Sequence, residues 1–136
     1  MNSGIYVLII AKPGSLRRGL QSLISSLAGI SAVGLVDNYA DALQMTQEIQ
    51  PALAILASEN SGNQILKILP DIKRLSPETK CIMLLDSIED QEKAYLAGAD
   101  AAILHGTSPD ELVFRLEAVL NQARGEKRSR SGASSL

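Results

Sequence analysis

Hydrophobic positions along the chain fall into two alternating patterns. Five short apolar runs, residues 5–11, 30–36, 53–57, 80–85 and 101–104, have the length and Ile/Val/Leu/Ala content of buried strands. Between them apolar residues recur at three- and four-residue spacing, as in Leu16, Leu20, Leu23, Ile24 and Leu27, or Leu112, Leu116, Val119 and Leu120. That spacing puts one apolar stripe on each helix and turns it toward the strands.

The starts of the helices are marked chemically. Ser108-Pro109-Asp110-Glu111 supplies an N-cap hydroxyl, a proline in the first turn and a glutamate placed to close a capping box. Ser87 precedes Glu89 and Asp90, whose charges complement a helix N-terminus, and Asp37 or Asn38 can cap the helix containing Ala42, Leu43 and Met45. Pro70 falls inside the third helical pattern, where it removes one backbone bond and is expected to bend or split the helix. After Leu120 the periodicity ends, and residues 124–136 read as a flexible basic and Ser-rich tail. The expected organisation is one domain over residues 1–123 followed by that tail.

Five strands alternating with five helices imply an α/β fold: a five-stranded parallel sheet with helices on both faces and right-handed crossovers. Ligands of such sheets bind beyond the carboxyl ends of the strands, so function is sought near Ala11, Ala57, Leu85 and His105.

Composition narrows the picture. The 136 residues are 46% apolar with no Trp, one Phe and three Tyr, so the core is aliphatic. The net charge of −2 divides into +3 on residues 124–130 and −5 on the rest, an acidic body unlike a nucleic-acid-binding surface. The single cysteine, Cys81, excludes an internal disulfide and sits in an apolar run, as an inert core thiol would. The opening apolar run is too short to span a membrane and lacks a basic leader, and a cytoplasmic location is expected.

The chain resembles the receiver domains of two-component response regulators, a CheY-like, flavodoxin-like (βα)5 fold, nearest to the NarL/FixJ-type branch that carries a C-terminal helix-turn-helix. The resemblance covers about residues 5–120. It rests on Val7-Leu8-Ile9-Ile10 followed by Leu16-Arg17-Arg18-Gly19-Leu20, on Gln50-Pro51 and on Leu75-Ser76-Pro77-Glu78-Thr79. Its most specific part is Ala97-Gly98-Ala99-Asp100-Ala101-Ala102-Ile103-Leu104-His105, followed by Thr107-Ser108-Pro109-Asp110-Glu111-Leu112.

The resemblance also implies what is missing. Receivers place two acidic residues after the first strand and a phosphoacceptor aspartate after the third; here those places hold Ala11, Lys12 and Ala57. The family's hydroxyl residue, switching aromatic and lysine correspond to Leu85, Ala102 and His105. None of Ala11, Lys12 and Ala57 offers an oxygen to a hard dication, and a methyl group cannot accept a phosphoryl group. The implied domain is a pseudo-receiver held in one conformation, with no cofactor and no metal.

Other candidates are weighed on local chemistry. Lys12 can fill the vacated position and pair with Glu59 or Asp86, or remain a solvated lysine. His105 is the only histidine and reads as a surface residue at a strand end. Ser58 is no substitute acceptor for Ala57, because neighbours on a strand face opposite ways. The segment Asn60-Ser61-Gly62-Asn63-Gln64 reads as a polar turn.

The expected function is a phosphorylation-independent signalling or regulatory module that acts through a protein partner or a homodimer, and not an enzyme. It would be the N-terminal part of a DNA-binding transcription regulator or a stand-alone domain, with no direct contact to nucleic acid or membrane. Surfaces used by related receivers suggest Leu16, Gly19, Leu20 and Leu23, or Tyr95, Ala101 and Arg115, as an interface. The alternative is a sensor of a small anion or nucleotide-type ligand at the sheet edge, using Lys12, Ser58, Glu59, Asp86 and His105. Lys12-Pro13-Gly14-Ser15 lacks the spacing of a phosphate-binding loop, which weakens that alternative.

Overall fold

The computed structural model describes residues 4–57 and 63–135, with side-chain placements for residues 4–57 and 66–123. Five strands alternate with five helices: β1 (Ile5–Ile10), α1 (Ser15–Ser25), β2 (Ile30–Val36), α2 (Tyr39–Ile49), β3 (Leu53–Ala57), α3 (Asn63–Leu75), β4 (Lys80–Leu85), α4 (Ile88–Ala97), β5 (Ala101–Leu104) and α5 (Pro109–Ser135). All neighbouring strands are parallel, in the order β2-β1-β3-β4-β5. The order reverses between β1 and β3, which puts the ends of those two strands at the crevice where such sheets bind ligands.

Strand alternation sends side chains to two separate cores. Val7, Ile9, Leu53, Ile55, Ile82 and Ile103 meet α1 and α5 through Leu20, Ile24, Leu116, Val119 and Leu120. On the other face Leu8, Ile10, Leu56, Met83 and Leu85 meet Ala42, Ile68, Leu69, Ile72 and Ala94 of α2, α3 and α4. Because both faces are covered, β3 is buried at every position.

The capping chemistry is realised. Asn38, rather than Asp37, accepts from the Asp41 amide at 2.8 Å; Ser87 accepts from Asp90 at 3.1 Å and Ser108 from Glu111 at 3.3 Å. Gly98 ends α4 with φ 112°, a left-handed conformation that a side chain would strain.

Two helices bear on expectations made from the sequence. α3 runs as one helix through Pro70 instead of splitting there. The proline is exposed while Ile68, Leu69 and Ile72 are anchored in the core, and that packing outweighs one lost backbone bond. The backbone of α5 is helical to Ser135, across residues read from composition as a flexible tail. Among the described side chains of α5 the last buried one is Leu120.

Candidate functional site

The carboxyl edge of the sheet is built from strand ends. Register pairs Ile10 with Leu56, Ala57 with Leu84, and Leu85 with Leu104, so β1, β3, β4 and β5 terminate together. Ala11 and Ala57 are buried and point to the α1/α5 core. Leu85 and Ala102 are also buried, but on the opposite face. The six strand-end positions singled out by sequence therefore divide between the two faces: methyl groups on one, Leu85 and Ala102 on the other, with Lys12 exposed and His105 half-buried at the rim.

Methyl groups at Ala11 and Ala57 carry no lone pair for a metal ion and no nucleophilic atom. Among the described residues no group of three or more His, Cys, Asp or Glu side chains is placed to hold a metal ion.

Asp86 does not go to Lys12. His105 Nε2 lies 3.5 Å from Asp86 Oδ1, and the His105 amide donates to the Leu85 carbonyl at 2.8 Å. The imidazole thereby joins the β4–α4 and β5–α5 connections, at the strand end where a surface histidine was expected. A carboxylate beside His105 also makes the rim a poorer anion receptor than Lys12 and His105 alone suggest. Ser58 and Glu59, the remaining members of the ligand alternative, and residues 60–62 of the polar turn lie outside the described residues.

The free edge of β5 is closed by α4. Gln91 Nε2 donates to the Ala102 carbonyl at 2.7 Å, and the Ala102 amide donates to the Tyr95 hydroxyl at 3.2 Å. Arg115 of α5 approaches the same hydroxyl at 3.5 Å. Past the strand, Thr107 Oγ1 donates to the Leu104 carbonyl at 2.7 Å.

The interface candidates separate by burial. Leu20 and Ala101 are 3% and 4% exposed, members of the α1/α5 core, and cannot contribute to a free surface. Leu20 is the inward residue of its helical stripe, and Ala101 lies on a strand covered by helices. Leu16 and Leu23 are half-buried against that core, whereas Gly19 is exposed with no neighbour within 4 Å of a Cβ placed there. Tyr95 is 47% exposed and, with Arg115, belongs to the α4–α5 side. Sequence reasoning missed the three most exposed large hydrophobics, Ile88, Leu96 and Phe114, at 66%, 89% and 67%. Their signal was available: each falls outside the apolar stripe of its helix.

At the opposite end of the sheet Asp100 is the centre of a polar clamp. Its Oδ2 receives Lys73 Nζ at 2.7 Å and the Cys81 amide at 2.8 Å, and Lys80 Nζ lies 4.0 Å from Oδ1. Lys73 Nζ also donates to the Thr79 carbonyl at 2.9 Å. Beside it Cys81 is buried, and desolvation pushes its thiol up to about 12.

The fold is that of response-regulator receiver domains of the CheY-like class, and the sequence is similar to theirs. The chain is 30% identical over 124 residues to the response regulator protein VraR of Staphylococcus aureus, covering 90% of this chain and 58% of that protein. The chain thus spans less than two thirds of the length of the curated relatives it matches. Among solved structures, a LuxR-family DNA-binding response regulator from Staphylococcus aureus superposes with TM-score 0.72 at 26% identity, covering 85% of this chain and 98% of that one. A CheY-like receiver domain protein from Methanospirillum hungatei gives TM-score 0.77 at 20% identity, covering 91% and 99%. No protein-family model matches the chain. Among the described residues no helix is long and apolar enough to cross a membrane.

Proposed function

We infer that the chain is a phosphorylation-independent receiver that signals by protein–protein contact. The observation carrying this reading is the buried Ala57 methyl at the end of β3, next to Ala11 at the end of β1, at the point where strand order reverses. In the receivers it resembles, those strand ends hold the carboxylates that bind the cation and take the phosphoryl group. Here the place is apolar, so the transfer has no acceptor and the cation no ligands. A domain that does not answer to phosphate acts through the surface it presents at all times, and α4 pinned onto β5 by Gln91 and Tyr95 supports a single presented state. The likeness to a LuxR-family DNA-binding response regulator supports reading the chain as the regulatory part of such a regulator.

Thermal melting in Mg²⁺ with and without beryllofluoride, paired with light scattering, tests this reading. No change in melting temperature or size is expected. A stabilisation by the phosphoryl analogue, which arises from binding to the folded state alone, overturns it.

A further inference from the structure

The two edges of the sheet are finished differently. At β5 the outward amide and carbonyl of Ala102 are taken by Tyr95 and Gln91, and the Leu104 carbonyl by Thr107. At β2 no such cover occurs among the described residues: its only strand partner is β1, and its side chains are uncharged throughout, Ile-Ser-Ala-Val-Gly-Leu-Val. Exposed edge strands ordinarily carry lysine, proline or a bulge to prevent pairing with another chain. β2 has its one irregularity at the first residues, between the pairs made by Ile5 and Tyr6, and is regular from Ala32 to Val36.

The direction of the free groups is set by one bond. The Ala11 amide donates to the Val36 carbonyl at 3.0 Å, so Val36 faces β1. Backbone groups on a strand alternate sides, which turns Gly34 and Ala32 toward β1 and the N–H and C=O of Val33 and Leu35 outward. The face onto which a side chain at Gly34 would project is already filled: a Cβ there would meet the Tyr6 hydroxyl and, at 3.2 Å, the Met45 methyl. What remains open is the edge itself.

We propose that β2 is a self-pairing edge, and that its occupant is β2 of a second copy of this chain, antiparallel about a two-fold axis at Gly34. This goes beyond the signalling reading and stands or falls separately from it. With Gly34 facing its own copy, Val33 opposes Leu35 and the two exchange N–H and C=O groups in both directions. Ala32 opposes Val36, and Ser31 opposes Asp37. No like charges face each other, and Ala32 and Ser31, the exposed side chains of the strand, are small enough for close approach. The result is a continuous ten-stranded sheet with both outer edges of the β5 type. So short a seam belongs to the small class of interfaces, and the association is concentration-dependent.

Sedimentation velocity on the full chain from roughly 10 µM to 1 mM, with amide exchange followed residue by residue, tests the proposal. The expected result is a monomer–dimer equilibrium in which Val33 and Leu35 amides exchange at least about tenfold more slowly at the high concentration. Ala32→Lys puts a charge on the exposed edge and is expected to weaken dimerisation at least about tenfold with the melting temperature of the dilute monomer unchanged. A chain monomeric across the range overturns self-pairing and leaves the edge to an extended segment of another protein. A dimer unaffected by Ala32→Lys, or one that protects amides elsewhere, overturns it too.

Discussion

The Ala102 amide donates to the Tyr95 hydroxyl at 3.2 Å while the carbonyl of the same residue accepts from Gln91 at 2.7 Å, so one helix satisfies both outward groups of this edge residue. Tyr95→Phe keeps the ring and removes the acceptor. A loss of about 1 kcal/mol in urea unfolding is expected, the ordinary net value of one such bond. Exchange of the Ala102 amide should accelerate with it. Unchanged exchange would mean that the hydroxyl does not hold this strand.

Gly34 is required by its surroundings. The site of a Cβ is occupied by the Tyr6 hydroxyl, with the Tyr6 ring carbon Cζ at 3.0 Å and the Met45 methyl at 3.2 Å. Gly34→Ala should cost about 1–3 kcal/mol through overpacking. Combined with Tyr6→Phe, which withdraws the nearest atom, it should cost measurably less than the two changes separately. Additivity in that double-mutant cycle would show that Tyr6 is not the obstacle.

Cys81 should be inert toward Ellman's reagent at pH 8 until the chain unfolds, since the thiol is buried and lifted from 9.0 to about 12, first by desolvation. The same shift has a stability consequence. A group whose folded value is raised favours the folded state below its unfolded value and loses that contribution as pH climbs toward the folded one. Stability should therefore fall between pH 9 and 12, by up to about 1.4 kcal/mol per pH unit from this residue. Cys81→Ala, although destabilised by its cavity, should remove that component of the alkaline slope.

The surface pair Tyr39 and Asp71 joins α2 to α3. The Tyr39 hydroxyl, and then Arg74, hold the Asp71 carboxyl below its usual 3.8, whereas the hydrogen bond to Asp71 raises Tyr39 above 10.0. For the carboxyl the stabilisation is present above pH 3.8 and fades as pH falls through the lowered folded value. For the phenol it is present below pH 10.0 and fades above it. Both groups are in solvent, so the effect is small and weakens with salt. Tyr39→Phe should flatten the acid limb of the melting-temperature profile at low ionic strength.

Strand positions were legible as short, largely apolar runs: β2 through β5 match their segments residue for residue, and β1 ends one residue earlier, at Ile10. Helix starts were legible at Asn38, Ser87 and Ser108 because caps are local chemistry. The continuity of the third helix through Pro70 was not legible because a proline signal is local, whereas Ile68, Leu69 and Ile72 anchor the helix in a core built from other segments. At the candidate site, residue identities came from the sequence but partners did not. Asp86 is one residue from the predicted strand end, yet its pairing with His105 depends on β4 and β5 ending side by side. Leu20 and Ala101 were placed at a surface because one sequence does not separate the inner and outer sides of a short element.

The Asp100 carboxylate has a reach that its modest exposure conceals. Through Lys73 it holds the end of α3, through the Cys81 amide the start of β4, and through its own backbone the entry to β5. Segments far apart in the chain are thus tied at one point, and loosening any of them releases the others. The stretch from α3 to β5 should consequently open as one cooperative block in native-state exchange, with the β1–β2 half able to fray independently of it.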